Sequence, residues 1–161
     1  MGKANILTVA WTGTICTEPA MTYISLRPER YSYEIIRQTK QFVINLTTKE
    51  LAYATDFCGV KSGKEIDKFE ACHLTKEKAQ FVACPLIKES PLSIECEVVE
   101  EKPLGSHTMF IAKVLGVDAD EAYFEKEGRF AFEKAEPMTY SHGKYYALGE
   151  PLGKFGFSVK K

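Results

Sequence analysis

The chain has 161 residues, which fits one domain over 1–161, and a domain of that size buries roughly 70% of its extended-chain surface, so no disulfide or metal staple is required. With 45% apolar and 27% charged residues, and 21 basic against 22 acidic side chains, the composition excludes a disordered tail and a nucleic-acid surface, and any anion site must be local. No apolar run approaches the ~20 residues of a membrane span, and no charged segment followed by an apolar stretch opens the chain, which predicts a cytoplasmic protein with no membrane partner.

Residues 5–11, NILTVAW, are apolar and β-branched and predict a first strand ending at Trp11, with Thr12-Gly13-Thr14 breaking the run. Met21 to Leu26 predicts a second strand. After Arg27, Pro28 and Arg30, Ser32 stands at the N-cap position of a short helix marked by the Tyr33/Ile36 and Ile35/Thr39 spacings. A free helix N-terminus presents unpaired N–H groups and partial positive charge, so two arginines and a hydroxyl beside it suit a phosphate. Ordinary capping with solvated arginines accounts for the same pattern and is its commoner use. Phe42 to Leu46 predicts a third strand, and Thr47-x-x-Glu50 a capping box opening a helix that stops near Cys58-Gly59. Ser62-Gly63 predicts a tight turn, and Glu65 to Phe69 a second one.

From Leu92 to Val98 the even positions are apolar while Ser93, Glu95 and Glu97 are polar, the period of a half-buried strand with that polar face in water. Pro103-Leu104-Gly105-Ser106 turns the chain, and His107 to Val117 is almost continuously apolar, which predicts a central strand buried on both sides and ended by Asp118-Ala119-Asp120. Residues 120–136 read as a connection with one helical turn, and Tyr140 to Ala147 as a hairpin or a binding loop. Short strands, clear turns and short helices predict a barrel rather than a βαβ fold. The cysteines, Cys16, Cys58, Cys72, Cys84 and Cys96, are odd in number, widely spaced and without histidines at zinc spacing, so neither a disulfide framework nor a metal site is expected. Cys72-His73 are neighbours whose side chains point apart, a poor catalytic dyad, and thiols in a reducing compartment are the plainer reading.

The wording NILTVAWTGTICTEPAMTYISLRPERYSYEIIRQTKQFVIN, followed by DFCGVKSGKEIDKF from Asp56 to Phe69, GSHTMFIAKV and YSHGKYYALGE, resembles the flavin reductase-like family of FMN-binding split barrels, in particular its flavoredoxin branch. The resemblance implies a mainly β fold, a six-stranded antiparallel Greek-key split barrel with short helices, working as a homodimer with FMN between the subunits. Members of the resembled family usually carry a further strand ahead of the position of Gly2-Lys3-Ala4-Asn5; without it the barrel would have an unpaired edge, either covered by a partner subunit or left as an aggregation hazard.

By the same resemblance Asn5 and Trp11, with Thr12 next to it, lie beside the isoalloxazine ring, although Trp11 fits a core position equally well. Ser32, Arg27 and Arg30 match the segment near the ring and phosphate. Cys58, Gly59 and Ser62 belong to the region that lies against the flavin. Lys68 would point at the pyrimidine end of the ring, where out of context it reads as a surface lysine paired with Asp67. His107 comes near the ring in the family, with a satisfied strand-end histidine as the alternative. Tyr140 occupies an aromatic position at the flavin, for which Tyr145, Tyr146, Phe155 and Phe157 compete. Lys68 and His107 are the two residues that the resemblance assigns to catalysis.

No nucleophile, base and orienter set is present, so acyl transfer is unsupported, and no Rossmann fingerprint marks a nicotinamide domain. The expected function is that of an FMN-dependent oxidoreductase passing electrons from NAD(P)H or a protein donor to a flavin or protein acceptor. A non-catalytic FMN-binding protein, for storage or sensing, and a flavin-free barrel recruited for dimer contacts are the alternatives.

Overall fold

The computed structural model describes residues 4–159, so the expectation at Met1-Gly2-Lys3 lies outside the described residues. In chain order the strands are β1 (Thr12–Thr17), β2 (Ala20–Leu26), β3 (Gln41–Asn45), β4 (Lys76–Glu77), β5 (Leu86–Ile87), β6 (Leu92–Pro103), β7 (Thr108–Ala119), β8 (Met138–Ser141) and β9 (Lys144–Ala147). The α-helices are α1 (Ser32–Thr39), α2 (Ala52–Val60) and α3 (Lys68–Ala71). Five strands make one antiparallel sheet in the order β1-β2-β7-β6-β3, and β4-β5 and β8-β9 are separate two-stranded ladders. Among the described residues no helix is long and apolar enough to cross a membrane.

One face of the sheet carries the core. Ile24 and Leu26 of β2, Phe42 of β3, Cys96 and Val98 of β6, and Phe110 and Ala112 of β7 pack with Ile36 of α1. Tyr33 sets its ring edge-on to Phe110 at 5.4 Å, and its hydroxyl shares a 3.0 Å hydrogen bond with the Thr108 hydroxyl. The β8-β9 hairpin forms because His142 and Gly143 both adopt positive φ, the pair of angles that a two-residue type I′ turn requires.

Several local expectations are corrected. Residues 5–11 are not a strand. Leu7 and Val9 do pack on the core, but the backbone there is engaged mainly outside a ladder: the Ile6 carbonyl accepts from the Lys68 ammonium, and only the Trp11 carbonyl, accepting from Ser25 N–H, extends the β1-β2 pairing. Ser32 is the first helical residue rather than the N-cap, because the turn Arg27 to Arg30 already leads into the helix and Tyr31 takes the cap position with no side-chain bond. The Thr47-x-x-Glu50 capping box is absent; α2 starts after Leu51, whose N–H reaches the Thr48 hydroxyl at 3.4 Å, and runs on to Val60. Glu65 to Phe69 is not one turn, since Asp67 caps α3 by accepting from Phe69 and Glu70 N–H. Residues 120–136 hold two 3-10 turns, Glu121–Tyr123 and Phe132–Ala135.

The polar face of β6 is the largest correction. Ser93 and Glu95 are buried, and only Glu97 faces water. The excursion between α3 and β6 covers that face, with Ala79, Val82 and Leu86 packed against Val43, Cys84 and Leu115. Strand β7 is central as expected, but Lys113 and Val117 are exposed, so it is not buried on both sides along its whole length.

Candidate functional site

Three segments close a cleft of about 500 Å³: the N-terminal residues Asn5 and Leu7, the turn from Arg27 to Ser32, and the stretch from Val60 to Gly63 with Lys68 behind it. Each segment is tied to the next by a polar contact. The Asn5 side-chain amide donates to the Ser32 hydroxyl at 2.7 Å, and Arg30 donates to the Gly59 carbonyl at 3.3 Å. The Lys68 ammonium donates to the Ile6 carbonyl at 2.8 Å and to the Cys58 carbonyl at 2.6 Å.

Lys68 is therefore neither solvated nor paired with Asp67. It is 4% exposed, and Asp67 instead caps α3 and lies 3.9 Å from Lys76. An ammonium has three donors, so the two carbonyls leave one N–H. Burial holds Lys68 below the usual lysine range, and the positive charge of Arg30 adds to that. Arg27 pairs with Glu29 at 3.4 Å on the exposed rim, a contact of small energetic weight. Arg27, Arg30, Lys61 and Lys68 against Glu29 alone give the lining a positive balance.

Gly63 is required by the close approach of these segments. A Cβ there would fall 2.0 Å from Asn5 Oδ1 and 2.9 Å from a ring carbon of Tyr31. The turn is held locally by Ser62, whose carbonyl accepts from Glu65 N–H at 3.2 Å and whose hydroxyl accepts from Lys64 N–H at 3.3 Å.

Of the residues singled out in the sequence, Asn5, Arg27, Arg30, Ser32, Ser62 and Lys68 line one cleft. Cys58 and Gly59 stand behind its wall and contribute their carbonyls. The other four lie outside it. Trp11 is 62% exposed, and Thr12 donates to the Tyr23 carbonyl at 2.7 Å. His107 immediately precedes β7, its ring nitrogen 2.9 Å from the Ser106 hydroxyl, and Tyr140 lies on β8 with its ring 5.3 Å from Tyr145. The cleft adds Leu7, Glu29, Tyr31, Val60, Lys61 and Gly63. Lys61 and Gly63 fall inside the VKSGKEIDKF wording; Leu7 and Tyr31 are ordinary apolar-segment and helix-start residues that carry no signal of their own.

The family described as "Flavin reductase like domain" matches residues 1–149. An uncharacterized protein of Archaeoglobus fulgidus is 30% identical over 144 residues, covering 89% of this chain and 80% of its own. The flavoredoxin of Desulfovibrio vulgaris (Miyazaki F) superposes with a TM-score of 0.88 at 31% identity, over 98% of this chain and 85% of that one. A flavoredoxin from Methanosarcina acetivorans gives a TM-score of 0.87 at 26% identity, over 99% of this chain and 87% of that one.

Proposed function

Because the chain belongs to the flavin reductase-like family, we propose that it is an FMN-dependent oxidoreductase of the flavoredoxin type, a single domain working as a cytoplasmic homodimer. Electrons come from NAD(P)H or a protein donor and leave to a flavin or protein acceptor. The bound flavin supplies the electron chemistry, and the protein supplies its position and the charge around it.

The observation that carries this reading is the positive cleft. Its volume, about 500 Å³, is within the usual range for a small-molecule site, and its donors suit an anion carrying a flat polar ring. Arg27, Arg30 and the Ser32 hydroxyl would hold the phosphate, since guanidinium pairs well with it. Lys68, with one N–H left over, would face the ring carbonyls. Trp11, Thr12, His107 and Tyr140 would complete the site from across the subunit contact, and Trp11 and Tyr140 are exposed enough to do so. The closed six-stranded barrel belongs to the same reading, with β1 and β3 as the sheet edges that one more strand would join.

The expected result of a fluorescence titration is one FMN per chain, bound at least tenfold more tightly than riboflavin, because one charge-assisted hydrogen bond contributes about 1.5–3 kcal/mol. Equal affinity for the two flavins would remove the phosphate assignment. Anaerobic mixing with NADH, NADPH and a reduced ferredoxin-type protein then separates catalysis from storage: bleaching of the flavin by one of them is expected, and a flavin left oxidised by all three favours storage or sensing.

A further inference from the structure

Behind the wall of the cleft two cysteines from different helices meet. Cys58 of α2 is buried, Cys72 at the C-cap of α3 is half-buried, and their sulfurs are 4.0 Å apart. The chain between them is the cleft wall itself, with Val60, Lys61, Ser62, Gly63 and Lys68. Cys58 also holds the Lys68 ammonium through its carbonyl. A disulfide needs its sulfurs about 2 Å apart, so closing the 4.0 Å pair draws the two side chains together, and whatever part of that approach α2 and the end of α3 take up moves the wall between them and the carbonyl that holds Lys68.

We propose that Cys58 and Cys72 are a reversible dithiol–disulfide pair whose oxidation resets the wall of the cleft. The flavin is then held more weakly by the oxidised protein; this consequence rests on the FMN reading above, whereas the cross-link does not.

The oxidant is a low-molecular-weight disulfide. Cys72, the more accessible of the two, loses its proton and attacks one sulfur of that disulfide, forming a mixed disulfide and releasing one small thiolate. Cys58 then gives its proton to water and attacks the Cys72 sulfur, displacing the second thiolate. Two protein thiols are oxidised, one external disulfide becomes two thiols after taking up the two protons, and the electrons balance. Burial pushes the Cys58 thiol up to about 12, with Cys72 adding to it, which suits a resolving thiol rather than the first attacker. A small dithiol reverses both steps.

The test uses the full chain with oxidised glutathione, followed by trypsin under non-reducing conditions. Residues 50–61 hold Cys58 and residues 69–76 hold Cys72, so cutting at Lys49, Lys61, Lys68 and Lys76 leaves them joined only by the new bond. The expected product is that joined pair, lacking the two thiol hydrogens and released by dithiothreitol. Amide exchange over 59–68 should change on oxidation without any flavin present, and FMN should bind the oxidised protein several-fold more weakly. Cys72→Ser should lose all three effects. No joined pair, or a joined pair with unchanged exchange or with FMN affinity equal or tighter, overturns the proposal. A joined pair with altered exchange in a protein that binds no FMN in either form supports the redox pair and overturns the FMN reading instead.

Discussion

Lys68 is the residue on which the cleft turns, because one ammonium joins the N-terminal segment to the end of α2. Its two acceptors are backbone carbonyls, so no carboxylate among the described residues neutralises it, and its charge remains available to the cleft. Lys68→Met keeps the stem and removes both bonds. Leaving one buried and one part-buried carbonyl without this donor costs roughly 1–3 kcal/mol, and the variant should melt at a lower temperature in calorimetry. If the flavin ring lies against this ammonium, losing the cation disfavours the more negative reduced cofactor. Each ~1.4 kcal/mol of that effect lowers a two-electron potential by roughly 30 mV. Dye-coupled redox titration checks the second effect. A variant that melts lower but keeps the wild-type potential would make Lys68 a tie between segments and nothing more.

At the scale of elements, β6 shows how a buried carboxylate organises a loop. Glu95 is fully buried and accepts from Gln80, Phe81 and Val82 N–H at 2.8, 2.7 and 2.9 Å, which fixes the excursion over the sheet. Burial alone would push Glu95 up; the three N–H donors outweigh it and hold the carboxyl below the usual 4.5. Its stabilising contribution is therefore complete above pH 4.5 and lost as pH falls through the lower folded value. Asp118 of β7 behaves oppositely. Burial, and then the neighbouring Glu95, raise it above the usual 3.8, so it costs stability as pH rises through its folded value. Its Oδ2 is buried without a hydrogen-bond partner among the described residues. Asp118→Asn should thus stabilise the protein at pH 7, by up to about 1 kcal/mol after solvent screening, with the gain fading toward pH 4. Urea unfolding at both pH values decides it, and equal stability at pH 7 would mean that the two carboxyls do not interact. The same strand marks the limit of what the pattern could tell. Its period and the turn after it were legible, as were β2, β3 and the β8-β9 hairpin, because ladders and turns leave local marks. The burial of Ser93 and Glu95 depends on a segment more than ten residues away, which no local period records. The N-terminal run misled for a related reason: its apolar residues do face the core, but its carbonyls are taken by Lys68 and Ser25. Asn5, Ser32 and Lys68 were singled out by wording, and that they line one cleft came only with the fold. The cap at Asp67, by contrast, stood in plain sight as Asp67-x-x-Glu70, the capping-box spacing.

For the molecule as a whole, the unpaired surface is the strongest remaining clue. Leu148, Leu152, Phe155, Phe157 and Val159 follow β9, and Leu152 is 95% exposed. Trp11, Tyr53 and Val60 add exposed apolar surface on other elements. Isolated exposed leucines are ordinary, but a series of large apolar side chains in one terminal stretch is characteristic of an interaction face. Covering a leucine or phenylalanine contributes roughly 1.5–3 kcal/mol, so a few of them suffice to hold a symmetric pair. Light scattering should therefore give a mass near twice 18.1 kDa. Replacing both Leu152 and Phe155 by Asp places two charges in that contact and should shift the protein toward monomer. If the partner subunit closes the cleft, the same variant should bind FMN several-fold more weakly at low protein concentration and recover as concentration rises. Calorimetry on the variant separates this from misfolding, because the terminal stretch is exposed within one chain and its replacement should leave the melting of the monomer intact. A wild-type monomer that binds FMN at full affinity would remove the dimer from the account, and Trp11 and Tyr140 would leave the flavin site with it.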